Sequence, residues 1–236
     1  MQNKIQILST KKISGSCITD AAQKNICIDE MNFIDTKENI SEEVRNRISD
    51  ISKKNITAIF TSSNAVNAVE KIVSKQTNWK IFCIEPATKK RIEKLFPGSS
   101  IVASATDAAE LSKKIINEFS IKEVVFFCGN QRRDLLPTEL AKHQIGVEEL
   151  VVYETIETPK IVSKKYDGVL FFSPSAVRSF FARNKLEAGI PIFTIGKTTA
   201  DEVKSFSNNS IVISEIPGIE NLIAEVIQYF SPIKNV

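Results

Sequence analysis

The chain has 236 residues, 42% of them hydrophobic and 25% charged. That is an ordinary globular composition, long enough for one large domain or two small ones, and it excludes disorder, a collagen repeat and a disulfide scaffold. A single histidine, His143, rules out a multi-histidine metal site, and a net charge of +3 from lysines spread along the chain describes a solvated surface rather than a nucleic-acid face.

The four cysteines, Cys17, Cys27, Cys83 and Cys128, form no CxxC pair and read as reduced, mostly buried thiols. The opening MQNKIQILSTKK lacks the apolar core of a signal peptide and reads as a first strand, Ile5–Leu8. No run of about 18 apolar residues follows, so no membrane span is expected, and the expected location is the cytoplasm. The first strand leads to an extended segment over Met31–Thr36. Ile40, Val44, Ile48 and Ile51 then follow helical spacing, with Asn39 as the expected cap and Glu42 as its partner. Strands are predicted at Ala58–Thr61, Ile81–Ile84 and Ile101–Ala103. After Thr106-Asp107, Leu111, Ile115 and Phe119 mark a further helix. A strand at Val124–Cys128 precedes a helix over Leu135–Ile145. His143 lies near the end of that helix, where the dipole favours a cation. Strands follow at Leu150–Tyr153, Val169–Phe172, Ile192–Ile195 and Ile211–Ile213. The stripe Ile219, Leu222, Ile223, Val226, Ile227 and Phe230 after Pro217-Gly218 is a last core-facing helix. Strands alternating with helices give an α/β fold with mostly parallel sheets.

The sequence also repeats itself. Ile59–Val66 resembles Leu170–Val177, displaced by 111 positions (Ile59 to Leu170). Ile81–Thr88 resembles Ile192–Thr199 at the same displacement, and Ser100-Ile101-Val102 resembles Ser210-Ile211-Val212. Three matches in one order imply two similar α/β domains. Lys4–Thr10 and Glu123–Gly129 open a weaker matching pair. Extended stretches near 33–38 and 154–163 read as two linkers, which allows one domain to be inserted in the other. The expected division is 1–34 with 163–236 as a discontinuous domain, 39–154 as the inserted one, and linkers at 35–38 and 155–162.

Several strands run directly into a polar turn and a helix start. These are Ser62-Ser63-Asn64, Gly129-Asn130-Gln131-Arg132-Arg133, Ser173-Pro174-Ser175 and Gly196-Lys197-Thr198-Thr199. Ser173 before Pro174 is the pattern of an N-cap followed by the first helical position. In parallel sheets such turns share the carboxyl edge, and helix N-termini there suit carboxylate or phosphate. Two such edges across one cleft would make a polyanion site. The plain alternative is that these hydroxyls only cap helices. Gly196-Lys197-Thr198 is not a P-loop, because Pro191 stands where that motif needs glycine, and no GxGxxG is present. Tyr153, at the end of a strand, is either a packed tyrosine or a phenol that donates a proton.

The ordered set Phe60-Thr61-Ser62, Ala65-Val66, Gly129, Arg132, Leu136, Leu140, Gly146-Val147, Val152-Tyr153-Glu154-Thr155, Phe172-Ser173-Pro174-Ser175-Ala176-Val177 and Ile195-Gly196, Thr198-Thr199-Ala200 resembles the uroporphyrinogen-III synthase (HemD) family from about residue 55 onward. The resemblance implies two α/β domains, one inserted in the other and joined by a two-stranded linker. It implies closure of hydroxymethylbilane, a linear tetrapyrrole with eight carboxylates, to uroporphyrinogen III, with inversion of the last pyrrole ring and loss of water. The work is mainly positioning, because the substrate loses its hydroxyl readily and closes unaided to the uninverted isomer. No cofactor or metal is implied. Tyr153 matches the family tyrosine proposed to assist hydroxyl departure. Ser62, Ser63, Asn64, Thr88, Gly129, Asn130, Arg132, Ser173, Ser175, Lys197, Thr198 and Thr199 are the expected substrate-binding set. The expected partners are the tetrapyrrole and, transiently, the enzyme that supplies it, with the chain a monomer and no nucleic acid or membrane involved.

The sequence departs from the family in two places. Many members carry an arginine just after the first strand, where this chain has Ser9-Thr10-Lys11-Lys12, and lysine is a point charge rather than a bidentate clamp. Glu85 stands at the first-half glycine of the Gly-x-x-Thr-Ala pattern, where a carboxylate facing the cleft would repel a polyanion. A non-catalytic binder of a small anion explains the duplication as well, and a degenerate synthase that binds tetrapyrroles without turnover is a third reading.

Overall fold

A computed structural model describes residues 4–73, 77–118, 121–132, 134–216 and 218–231. Phe119, Arg133 and Pro217, each part of a sequence expectation above, lie outside the described residues.

The chain runs β1 (Ile5–Ser9), α1 (Gly15–Gln23), β2 (Ile26–Glu30), β3 (Ile34–Lys37), α2 (Glu42–Ser52), β4 (Thr57–Phe60), α3 (Ser63–Glu70), β5 (Lys80–Ile84), α4 (Ala87–Leu95), β6 (Ser100–Ala105) and α5 (Ala108–Ile116). It continues through β7 (Glu123–Gly129), α6 (Leu135–Lys142), β8 (Gly146–Glu157), β9 (Gly168–Phe171), α7 (Pro174–Phe181), β10 (Ile192–Thr194), α8 (Lys197–Lys204), β11 (Ile211–Ile213) and α9 (Ile219–Phe230). It divides into two compact units, Met1–Asp35 with Ile156–Val236, and Thr36–Thr155. The second unit is thus an insertion in the first, and the chain passes between the units along β3 and β8, which are neighbours in one sheet.

The discontinuous unit holds a sheet in the order β11-β10-β9-β1-β2, parallel at each pair. The inserted unit holds β3-β8-β7-β4-β5-β6, and its pairs β8-β7, β7-β4, β4-β5 and β5-β6 are also parallel. Omitting β3, the two orders are the same pattern with the chain entering at a different strand. β1 and β2 correspond to β7 and β8, and β9, β10 and β11 correspond to β4, β5 and β6. The repeat in the sequence is therefore a repeat of strands. It extends to helix ends: Asn25 after α1 and Gln144 after α6 both take left-handed φ, 63° and 59°, and turn the chain into β2 and β8.

Both faces of each sheet are covered, which is why the strands read as unbroken apolar runs. In the inserted unit, Phe60, Phe127, Val125, Leu150 and Val152 pack with α2 and α3 on one face, while Ile59, Phe126, Cys128 and Val124 pack with α5 and α6 on the other. Trp79 stacks on Phe127 at 5.4 Å and Phe60 stacks on Phe127 at 4.9 Å, a rigid aromatic floor. In the other unit α1 and α9 cover one face and α7 and α8 cover the other.

Three expectations are corrected. The strand after α1 is Ile26–Glu30 rather than Met31–Thr36: at the sheet edge its apolar run is only Ile26-Cys27-Ile28, followed at once by Asp29 and Glu30. α2 is capped by Ser41, whose Oγ accepts the Val44 amide at 3.2 Å, and not by Asn39, which lies before the helix. α6 stops at Lys142, and His143 follows it, exposed, with Nδ1 3.0 Å from the Glu139 carbonyl, so it belongs to a helix end. No helix among the described residues is long and apolar enough to cross a membrane, and the four cysteines are free thiols.

Candidate functional site at the strand carboxyl ends

In the inserted unit β7 and β4 are neighbours, yet the helices that follow them, α6 and α3, lie on opposite faces of the sheet. The carboxyl ends of these strands therefore splay their loops apart, the arrangement that makes a ligand crevice in doubly wound sheets. The loop after β4 is Thr61-Ser62, and Ser62 caps α3 by accepting the Asn64 amide at 3.1 Å. The loop after β7 is Asn130-Gln131-Arg132, and it is strapped to β8. The Asn130 amide donates to the Tyr153 carbonyl at 3.1 Å, Asn130 Oδ1 accepts the Thr155 amide at 2.9 Å, and Gln131 Nε2 donates to the Thr155 carbonyl at 3.0 Å. Two side chains thus continue the ladder where the backbone of β7 leaves it.

The strap fixes Tyr153. β7 and β8 pair in step up to Cys128 with Val151, and then Gly129 pairs with Tyr153, so Val152 is an extra residue. Such a bulge re-aims the next side chain. Val152 and Tyr153 consequently face the same core cluster, together with Leu150, instead of alternating. The Tyr153 ring passes over Gly129, which is itself buried, and its phenol end faces Ser62. Burial pushes the Tyr153 pKa above the ordinary tyrosine value, and the nearby Ser62 hydroxyl opposes part of that rise. A phenol held this way stays protonated at neutral pH and can donate.

Behind the loop lies a group that no sequence spacing announces. Arg132 pairs with Glu149 on β8 and with Asp134, and its charge lies near the Cys128 thiol, which is 3.7 Å from the Leu150 carbonyl. Burial, and then the Glu149 charge, push that thiol up to about 11. Arg132, expected as a carboxylate partner, is therefore already ion-paired within its own unit, and its geometry is that of a loop anchor.

The remaining expected residues separate by exposure. Ser63 and Asn64 sit in the first turn of α3, half-buried and exposed respectively. Thr88 is 5% exposed in the first turn of α4, so, like the buried hydroxyls of the other unit, it brings to this edge chiefly a helix start. Beside it Glu85 is compensated locally. Its carboxylate accepts Ser104 Oγ at 2.6 Å and pairs with Lys89 at 3.6 Å, and the Ser104 bond, first of several causes, holds its pKa below the usual range.

The discontinuous unit presents an edge of the same make. Ser173 caps α7, accepting the Ala176 amide at 3.2 Å, with Pro174 in the first turn and Ser175 Oγ 3.1 Å from Ser173 Oγ. Gly196 precedes α8 in extended backbone, Lys197 is exposed, Thr198 is half-buried, and Thr199 is 2% exposed with its amide on the Gly196 carbonyl at 3.1 Å. Ser175 and Thr199 are buried, so what they bring to this edge is chiefly the helix starts they complete. At the end of β1, Thr10 donates both its amide and its Oγ1 to the Leu170 carbonyl, at 3.1 and 2.7 Å, and Lys11 and Lys12 follow, exposed. Among the described residues no group of three His, Cys, Asp or Glu side chains is placed to hold a metal ion.

A family model described as uroporphyrinogen-III synthase HemD matches residues 23–224. The uroporphyrinogen-III synthase of Schizosaccharomyces pombe is 23% identical over 211 residues, covering 80% of this chain and 81% of its own length. Two solved structures share the fold. The uroporphyrinogen-III synthetase of Helicobacter pylori is 16% identical with a TM-score of 0.65, covering 95% of this chain and 99% of that one. A mutant uroporphyrinogen III synthase of Thermus thermophilus is 12% identical with a TM-score of 0.64, covering 95% and 98%. With the family match spanning both repeats and the duplicated sheets in place, the chain belongs to the uroporphyrinogen-III synthase HemD family.

Proposed function

We propose that this chain is a cyclising lyase that converts hydroxymethylbilane to uroporphyrinogen III, with Tyr153 as the proton donor to the departing hydroxyl. The observation that carries the choice of Tyr153 is its place at the β7–β4 switch point, ring over Gly129 and phenol end facing Ser62.

Ser62 Oγ accepts the Asn64 amide and, facing the phenol, offsets part of the rise in the Tyr153 pKa. In this reading the phenol proton meets the substrate hydroxyl. Transfer of that proton releases water and leaves a cation delocalised over the first pyrrole and its exocyclic carbon. The substituted carbon of the last ring attacks that carbon, and the resulting spiro intermediate rearranges to the inverted ring. The proton lost on rearomatisation restores the Tyr153 phenol, so water is the only by-product. A raised phenol pKa suits this role, because the acid is present across the whole neutral range.

The substrate's carboxylates match the chemistry of the carboxyl edges. Ser62, Ser63 and Asn64 open α3, Ser173 and Ser175 open α7, and Lys197, Thr198 and Thr199 open α8 with a cation at its start. Helix starts and lysine together supply N–H donors and positive charge for carboxylates. The chain is proposed to act as a cytoplasmic monomer that receives its unstable substrate directly from the enzyme that makes it.

The test is the isomer of the product. Freshly generated hydroxymethylbilane is incubated with and without the protein, oxidised, and the porphyrins separated. Predominant isomer III with protein, against isomer I without it, is expected. Isomer I alone from folded protein rejects the synthase reading, and suppressed cyclisation without isomer III identifies a tetrapyrrole binder.

A further inference from the structure

We infer that Gly129 is a positioning residue whose missing side chain makes the seat of the Tyr153 ring. The inference rests on the reading of Tyr153 as proton donor and concerns what aims it. A β-carbon built on Gly129 would lie 2.5 Å from Tyr153 Cζ, 2.7 Å from Cε2 and 2.9 Å from the phenol oxygen. All three are well inside van der Waals contact, so the hydroxyl end of the ring rests on the glycine α-carbon. Backbone freedom is not the reason for glycine here, because Gly129 does not take positive φ, as Gly189 does. It pairs with Tyr153 in the regular ladder beyond the bulge.

The ring has no easy way to retreat while keeping its aim. Its backbone carbonyl is held by the Asn130 amide, Val152 occupies the same core face, and Ser62 faces the far end. The glycine face also keeps water from one side of the ring, in line with the raised phenol pKa. A methyl group at 129 therefore swings the phenol off Ser62 and toward solvent, while the helix starts proposed for carboxylates stay where they are. The expected signature is a loss in kcat with KM little changed.

The experiment compares Gly129→Ala, Tyr153→Phe and the double variant in the isomer assay. It also follows phenolate absorbance against pH in a Tyr166→Phe/Tyr229→Phe background, where Tyr153 is the one remaining tyrosine. Gly129→Ala is expected to lower kcat nearly as far as Tyr153→Phe, on the order of 100-fold. The double variant is expected to be no slower than Tyr153→Phe, and the Tyr153 pKa to fall toward its ordinary value of 10. Wild-type kcat with an unchanged titration in Gly129→Ala overturns the inference, as do losses that multiply in the double variant. Full activity in Tyr153→Phe rejects the proton-donor reading instead, and the titration shift then decides the seat alone. If Gly129→Ala does not fold, recovery of the fold in Gly129→Ala/Tyr153→Ala supports the contact, and a double variant that stays unfolded counts against it.

Discussion

The serine that caps α3 also faces the Tyr153 phenol: Ser62 accepts the Asn64 amide at 3.1 Å, and the same hydroxyl lowers the phenol pKa. One hydroxyl therefore serves both the start of α3 and the surroundings of a phenol carried by β8. A change at Ser62 is read twice, in stability and in the phenol titration.

Ser62→Ala is expected to destabilise the protein by about 1 kcal/mol through loss of the cap. It should also raise the Tyr153 pKa further, because the Ser62 hydroxyl is what lowers it. Thermal unfolding and a phenolate titration measure the two effects separately. A Tyr153 pKa that stays put or falls would show that the phenol does not depend on this hydroxyl.

Tyr153→Phe is expected to reduce kcat on the order of 100-fold, the low end for a general acid, because the substrate ionises readily by itself. In the wild-type protein the acid works only while protonated. Its pKa is raised above 10, so activity limited by this group is retained through neutral and mildly alkaline pH and lost only above 10. A steep fall of kcat between neutral pH and 9 that Tyr153→Phe abolishes would contradict the assignment.

Much of this arrangement was legible beforehand, and the part that was not has a physical reason. Continuous apolar runs such as Val124–Cys128 announce strands buried on both faces, and the matched runs at Ile59 and Leu170 are indeed the third strands of two like sheets. Ser62 and Ser173 before apolar-periodic segments are caps, as their chemistry predicts. What hydropathy cannot carry is register. The extra Val152 that turns Tyr153 onto the face of Gly129 is a property of how β7 and β8 pair, invisible in either strand alone. Nor can spacing show that Glu149, on the neighbouring strand, takes the guanidinium of Arg132. At the edge, β2 has only the short apolar run Ile26-Cys27-Ile28 before Asp29 and Glu30, so the strand hides in its flanks.

Arg132 and Asn130 are predicted to act through the loop. Asn130→Ala removes the acceptor for the Thr155 amide and is expected to cost about 1 kcal/mol, whereas Asn130→Asp keeps that acceptor and most of the stability. Because the loop holds the Tyr153 carbonyl, Asn130→Ala should also lower kcat. Equal stability in the Ala and Asp variants would refute the strap.

The start of α5 gives a prediction in pH. Asp107 accepts the Glu110 amide at 2.8 Å, and Glu110 reaches back to the Thr106 amide and hydroxyl, both at 3.1 Å. The Lys114 hydrogen bond, then those from Thr106, lower the Glu110 pKa from 4.5 to about 2. A depressed carboxylate pKa means stability that is present above 4.5 and is lost as pH falls toward 2. Carboxyl NMR should place the Glu110 midpoint near 2, and Glu110→Gln should flatten the acid limb of stability against pH over that interval. A midpoint at the ordinary glutamate value would show that the cap does not form in solution.

Charge at the two carboxyl edges should be felt in KM and not in kcat. Lys197 is exposed at the start of α8, and Glu85 lies at the end of β5, held by Ser104 and Lys89. For a substrate with many carboxylates, Lys197→Gln is expected to raise KM several-fold at low salt, roughly the effect of one exposed charge, with kcat unchanged. Glu85→Gln should move KM the other way, by less, because Lys89 already offsets part of that carboxylate. Both shifts should shrink as ionic strength rises and the Debye length shortens to about 8 Å at physiological salt. The discriminating measurement is therefore KM at two salt concentrations for both variants. A salt-independent change in KM would mean that these side chains act by shape, and a change in kcat at constant KM would place Lys197 with the proton donor rather than with the carboxylates.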